Sequence, residues 1–259
     1  MSGQIAEDTP KYLPRRFDGK VVLVTGGGKG IGRATVLRLA AEGATVLAVG
    51  KSDSVNGVAA EAGPAVTAYQ CDVSDIAAVE AMSESLRKKF GRLDGLCNNA
   101  GVSPNPKPLL ECSLADLDSV FATNLRGPFA IIKYCIPLMV QSGGGSVVSI
   151  ASIGGLKPAA GRGLYSATKA ALEVMTRALA VECAPHNIRA NTICPGPVRT
   201  PASAGLSEEA VAAYARVTLL GRWGRADEIA ALTAFLLSDE ASYITAANYV
   251  VDGGALAAR

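Results

Sequence analysis

Residues 20–42 read KVVLVTGGGKGIGRATVLRLAAE, and this stretch decides the fold. From Lys20 to Val24 the residues are β-branched and apolar, as in a strand buried on both faces. The run ends in a cluster of glycines at 26, 27, 28, 30 and 32. Ile31 to Glu42 then brings Ala34, Leu37, Ala40 and Ala41 round at helical spacing, with Gly43 as terminator. Strand, glycine turn and helix in that order form a phosphate-binding unit. Gly26 permits the tight turn, and Gly30 lets backbone approach a pyrophosphate. Gly32 lets the helix pack on the strand, while Gly28, Lys29 and Ile31 complete the loop. The helix start offers unpaired N–H groups and the positive end of a dipole to an anion.

The same alternation continues outward. Further strands are expected at Thr45–Val49, Val66–Gln70, Leu93–Cys97, Ser146–Ile150, Ile188–Ile193 and Tyr249–Val251. Helices are expected near 75–90, 114–140, 164–184 and 226–238, with a shorter one between Val55 and Gly63. Apolar strands separated by helices imply parallel pairing through right-handed crossovers. The fold class is therefore α/β: a single doubly wound domain with a seven-stranded parallel sheet and helices on both faces. Residues 1–17 read as a polar extension and 18–259 as the domain, with a substrate loop near 197–224.

Composition narrows the function. The 259 residues carry 25 basic against 23 acidic side chains, so nucleic acid is not the expected partner. No apolar run reaches the ~18 residues of a membrane span, and the N-terminus has no signal-like apolar core. A soluble, cytoplasmic protein without a membrane partner is expected. Six cysteines, at 71, 97, 112, 135, 183 and 194, never form a CxxC pair, and His186 is the single histidine. Metal sites and imidazole catalysis are thereby disfavoured, and no metal is expected.

The end of the second strand selects the dinucleotide. An NAD site usually places a carboxylate there for the adenine ribose, whereas this chain has Gly50 and then Lys51, with Asp53 the first acid. Lys29 adds a second cation from the glycine loop. Two ammonium groups favour a 2′-phosphate and hence NADP(H), with NAD(H) the alternative if both lysines point away. Chemistry is suggested by Tyr165, the only one of seven tyrosines with a lysine four residues later. On a helix Tyr165 and Lys169 share a face, and an ammonium beside a phenol is expected to lower its pKa towards use as an acid or base.

Taken together, the glycine loop, Asn98-Asn-Ala-Gly101, Asn124, Ser152, Tyr165, Lys169, Pro195-Gly196 and Thr200 resemble the short-chain dehydrogenase/reductase family from about Asp18 to Gly254. The resemblance implies a Rossmann-type fold and the following roles. Tyr165 would be general acid in ketone reduction and base in alcohol oxidation. Lys169 would hold the nicotinamide ribose and tune the phenol. Ser152 would bond the substrate oxygen, and Asn124 would hold a water in a proton relay. Asn98, Asn99, Ala100 and Gly101 would support the adenine side. Asp72, followed by Val73, would contact adenine, and Pro195, Gly196, Val198 and Thr200 would close on the carboxamide and phosphates.

The Ala- and Leu-rich segment 201–220 suggests a hydrophobic, uncharged ketone or secondary alcohol as small-molecule substrate. Trp223 suits either a pocket wall or packing. An NAD-dependent alcohol or polyol dehydrogenase is the enzyme alternative. A non-catalytic dinucleotide-binding regulator would not need the Asn–Ser–Tyr–Lys set. A reductase of acyl-carrier-protein thioesters would need a basic docking patch, and no clear cluster is seen. Relatives suggest a homotetramer or homodimer, built partly on the Ala-rich helix from Tyr165.

Overall fold

A computed structural model describes residues 15–258. The chain runs β1 (Val21–Thr25), α1 (Gly30–Ala41), β2 (Thr45–Gly50), α2 (Ser54–Ala62), β3 (Val66–Gln70), α3 (Ile76–Phe90) and β4 (Gly95–Asn98). It continues through α4 (Leu114–Phe121), a π-helical turn (Ala122–Arg126), α5 (Gly127–Gln141), β5 (Gly145–Ile150), α6 (Ile153–Leu156) and α7 (Gly163–Cys183). The last third holds β6 (Ile188–Pro195), β7 (Val198–Arg199), α8 (Glu208–Arg216), β8 (Gly224–Arg225), α9 (Ala226–Leu237) and β9 (Asn248–Val251).

Seven strands form one parallel sheet in the order β3-β2-β1-β4-β5-β6-β9. Alternation within β1 explains its unbroken apolar run. Val21 and Leu23 face a core shared with α3, α5 and α7, while Val22 and Val24 face one shared with α1, α2 and α9. Strand order reverses beside β1, where β2 lies on one side and β4 on the other, opening a crevice above their carboxyl ends.

Three differences from the sequence reading have local causes. The helix expected over 114–140 is two helices joined by the π turn, which admits one extra residue per turn and swings Asn124 inward. The fourth strand starts at Gly95 rather than Leu93, because its ladder begins where Gly95 pairs with Val22. Segment 201–220 contains α8, whose N-cap Ser207 accepts from Ala210 N at 3.2 Å.

Of the extension expected over 1–17, residues 1–14 lie outside the described residues. Arg16 and Phe17 pack as part of the domain. Phe17 is 2% exposed, and the Arg16 guanidinium donates to Glu42 at 2.6 and 2.8 Å and to Glu240 at 2.7 Å. Glu42 is fully buried but also receives Arg38, so its charge is answered twice. No helix among the described residues is long and apolar enough to cross a membrane.

Candidate active site and nucleotide cradle

The glycine turn is built for close approach. Gly26 and Gly30 have φ of 65° and 55°, a region that disfavours side chains. A Cβ at Gly32 would lie 2.1 Å from Gly26 O, so the first turn of α1 touches the loop below it. The Asn99–Ala100 turn is stapled to the same loop. Thr25 Oγ1 accepts from Asn99 N and Ala100 N, both at 3.0 Å, and Asn99 Nδ2 donates to Thr25 O at 2.9 Å. At its start α1 has no side-chain cap and no acidic residue in its first turn. Its leading N–H groups therefore remain available to an anion. Thr200 leans over Gly30, where a Cβ would meet its Cγ2 at 3.1 Å. Pro195 ends β6, Gly196 N donates to Val251 O at 3.0 Å, and Val198 pairs with Gly224. These residues fit a pyrophosphate group.

The residue that ends β2 is Gly50, not a carboxylate. A Cβ at Gly50 would fall 2.7 Å from Val55 Cγ1, so a larger residue there would displace α2. Asp53 accepts from Asn56 Nδ2 at 2.6 Å. Lys51 and Asp72, both expected at the adenosine end, meet one another in an ion pair of 2.8 Å. Burial pushes the Asp72 carboxyl up, but Lys51 and the Ser74 hydroxyl and amide hold it at about 2. Lys29 is exposed above the loop, and Val73 is buried below the π turn.

The residues expected to be catalytic, Asn124, Ser152, Tyr165 and Lys169, lie near the carboxyl ends of β4 and β5. Ser152 caps α6, with its Oγ accepting from Gly154 N at 3.0 Å, and its hydroxyl stands beside the Tyr165 phenol. Lys169, 5% exposed, donates from Nζ to Ile150 O at 2.8 Å and lies 5.8 Å from the centre of the Tyr165 ring. The Asn124 amide is buried. Its Oδ1 accepts from Val102 N at 2.7 Å, and its Nδ2 donates to Val102 O at 2.9 Å and Thr168 Oγ1 at 3.2 Å. One Oδ1 lone pair is left for the water that the resemblance gives it. Gly101 joins the group, since a Cβ there would lie 3.3 Å from both Asn124 Oδ1 and Lys169 Nζ.

The phenol departs from the sequence expectation. Burial raises the Tyr165 pKa, and it is Ser152 and the charge of Arg162 that pull it back, not Lys169. The Lys169 ammonium is directed instead at the carbonyl that ends β5, and burial lowers it to about 8.

Sequence reasoning missed Arg162, three residues before Tyr165. It donates to Pro104 O at 2.6 Å and Ser103 Oγ at 3.0 Å, tying the segment after β4 to the start of α7. Its i,i+3 position was the available signal. Trp223 proves to be packing: its Nε1 donates to Val211 O at 2.8 Å and its ring meets Tyr214 edge-on at 5.1 Å.

Residues 26–255 match the family model described as enoyl-(acyl carrier protein) reductase. The chain belongs to the short-chain dehydrogenase/reductase family. Levodione reductase of Leifsonia aquatica is 39% identical over 257 residues, covering 94% of this chain and 96% of that protein. Meso-2,3-butanediol dehydrogenase of Serratia marcescens is 40% identical over 245 residues, covering 93% and 96%. A 3-oxoacyl-[acyl-carrier-protein] reductase of Thermotoga maritima is 38% identical over 244 residues, covering 92% and 98%. The crystal structure of levodione reductase superposes with a TM-score of 0.89 at 40% identity, covering 94% of this chain and all of that one. As a member of the short-chain dehydrogenase/reductase family, the chain is an oxidoreductase of CH–OH and C=O groups, and the family uses nicotinamide dinucleotides.

Proposed function

We propose that the protein is an NADP(H)-dependent carbonyl reductase that interconverts an uncharged, largely apolar ketone and its secondary alcohol. The observation that carries this is the grouping of the Ser152 hydroxyl, the Tyr165 phenol and the buried Lys169 ammonium beside Gly101, whose turn is bonded to the end of β1. Gly26 to Gly32, Asn99 to Gly101 and Thr200 would hold the nucleotide, which would supply the hydride. Ser152 bonds the substrate oxygen, and Tyr165 delivers its proton there. The upward direction of the Tyr165 pKa suits this role, because the phenol stays protonated at neutral pH. Lys169, whose ammonium is held by Ile150 O, would hold the nicotinamide ribose, while Asn124 fixes the turn at Gly101 and Val102 against α7.

NADP(H) is favoured by Gly50 standing where a carboxylate would end β2 and by the exposed Lys29 and Lys51. A 2′-phosphate would have to compete with Asp72 for Lys51. An apolar groove of about 1200 Å³, lined by Phe121, Leu125, Phe129, Val174 and Met175, supports assembly into a homotetramer or homodimer through α4, α5 and α7.

Fluorescence titration with NADPH and NADH at matched ionic strength tests the cofactor: tighter NADPH binding that is lost in Lys29→Ala/Lys51→Ala is expected, and an unchanged preference overturns the lysine reading. Reduction of 2,3-butanedione tests the chemistry. Tyr165→Phe should lose on the order of 10²–10⁴ in kcat with nucleotide binding kept, and near-full turnover would refute the assignment.

A further inference from the structure

Successive residues after β4 meet α7 and the π turn one after another. A Cβ at Gly101 would lie 3.3 Å from Lys169 Nζ, and Val102 exchanges two hydrogen bonds with the Asn124 amide. Ser103 Oγ and Pro104 O accept from Arg162 Nη1 at 3.0 and 2.6 Å. Lys107 N then donates to Gly161 O at 2.9 Å, and a Cβ at Gly161 would fall 3.0 Å from Pro106 Cβ. Prolines at 104, 106 and 108 take away three main-chain donors, and the segment enters no strand or helix before Leu109. Its course is therefore set by groups that bond it from outside, and Arg162 is a cation among them.

Arg162 is the N-cap of α7 and is itself held on both sides: its N donates to Ala159 O at 3.1 Å, and its O accepts from Ser166 N at 2.8 Å. Tyr165 follows in the first turn of the helix. Both side-chain bonds of Arg162 end on neutral oxygens, and no carboxylate among the described residues pairs with it. Arg16, Arg33, Arg92 and Arg222, by contrast, each meet a carboxylate. The Arg162 charge is left to act on its surroundings.

The groups that bear on the Tyr165 phenol come from α6 and α7. Ser152 at the start of α6 bonds it, Arg162 acts by charge from the N-cap of α7, and Lys169 lies 5.8 Å from the ring centre. Lys169 Nζ donates to Ile150 O, and on the segment after β4 Lys107 is paired with Asp116 at 2.8 Å. Burial raises the phenol, and Ser152 and then Arg162 draw it back. The cation that acts on the phenol thus stands three residues before it, and the same guanidinium grips the neighbouring segment.

We propose that Arg162 is a positioning residue of the active site, which fixes Ser103 and Pro104 against the start of α7 and lends its positive charge to the Tyr165 phenolate. This rests on the carbonyl-reductase reading, in which Tyr165 gives up its proton. An Arg162 that merely braced a loop would alter stability and leave Tyr165 titrating where it did before.

The test follows the Tyr165 Cζ signal by NMR of tyrosine-labelled full-length protein across alkaline pH, assigned with Tyr165→Phe. In Arg162→Gln the Tyr165 midpoint should rise, because a cation that favoured the phenolate is gone. KM for 2,3-butanedione should rise about threefold to tenfold as the segment loses its charge-assisted bonds. Arg162→Lys should restore the midpoint but not KM, since a flexible ammonium does not keep the geometry of the guanidinium. An unmoved midpoint in Arg162→Gln, with only the melting temperature lowered, overturns the proposal. So does a midpoint that Arg162→Lys fails to restore. Should Arg162→Gln not fold, Ser103→Ala decides: a raised KM with the Tyr165 midpoint unmoved is expected, and an unchanged KM overturns the proposal. If wild-type protein reduces no diketone with either nucleotide, the functional reading fails, while the Tyr165 midpoint in Arg162→Gln still settles the role of the charge.

Discussion

Replacing Lys169 by methionine removes the buried charge and leaves an unbranched side chain one atom shorter, and the lowered pKa of the ammonium sets the size of the effect. Burial lowers the ammonium from an ordinary 10.5 to about 8. That gap, at about 1.4 kcal/mol per pH unit, costs the folded protein about 3 kcal/mol at neutral pH. Against this, methionine leaves Ile150 O without its donor, a loss of about 1 kcal/mol. Lys169→Met should therefore stabilise the nucleotide-free protein by about 2 kcal/mol at pH 7, raising its melting temperature by several degrees. The sign depends on pH in a defined way. Because the folded pKa lies below the unfolded one, the penalty on the wild type is complete below pH 8. It fades as pH rises from about 8 to 10.5, where the unfolded chain also loses its proton. The advantage of the variant should shrink over that window. Urea melts of both proteins from pH 6 to 10.5 measure this, alongside diketone reduction, which the variant should lose. A variant no more stable than wild type at pH 7, or more stable by the same amount at every pH, would refute the reasoning.

Gly32→Ala should abolish detectable nucleotide binding and lower stability by about 1–3 kcal/mol, because its Cβ would fall 2.1 Å from Gly26 O; titration calorimetry and urea melts report both. Asn124→Ala leaves Val102 N and O without their buried partners and should cost about 2 kcal/mol, with turnover falling further than stability alone explains; kinetics well below the melting temperature separate the two. Phe129→Glu places a charge in the apolar groove across α4, α5 and α7, and light scattering should show a smaller assembly with the monomer fold intact by circular dichroism.

Much of the site is legible because it is local. Tyr165 and Lys169 are one helical turn apart, and the glycine loop is contiguous, so periodicity and backbone sterics place them without reference to the rest of the chain. The third strand is found at Val66–Gln70, where it was expected. What was missed depends on partners distant in sequence. The π turn follows from Asn124 bonding Val102 and Thr168, which no hydrophobic period records. For α8, the cap at Ser207 followed by Glu208 and Glu209 was a readable signal that the apolar character of the segment obscured. The upward direction at Tyr165 could not be read from the lysine beside it, because desolvation depends on everything packed around the ring.

The sequence by itself determined the doubly wound sheet and the glycine turn after its first strand, and the family resemblance pointed to Ser152, Tyr165, Lys169 and Asn124 as one group. Each follows from local spacing, backbone freedom or an ordered set of motifs. Tertiary structure alone decided where charges are answered. Lys51 meets Asp72 because Gly50 pairs with Gln70 and brings the ends of β2 and β3 side by side. Glu173 of α7 meets Asn248 of β9 and lies beside Cys194 of β6, which the sheet brings to it. Burial and charge pairing act through space, so they are fixed only once the sheet has set which strand ends lie next to one another.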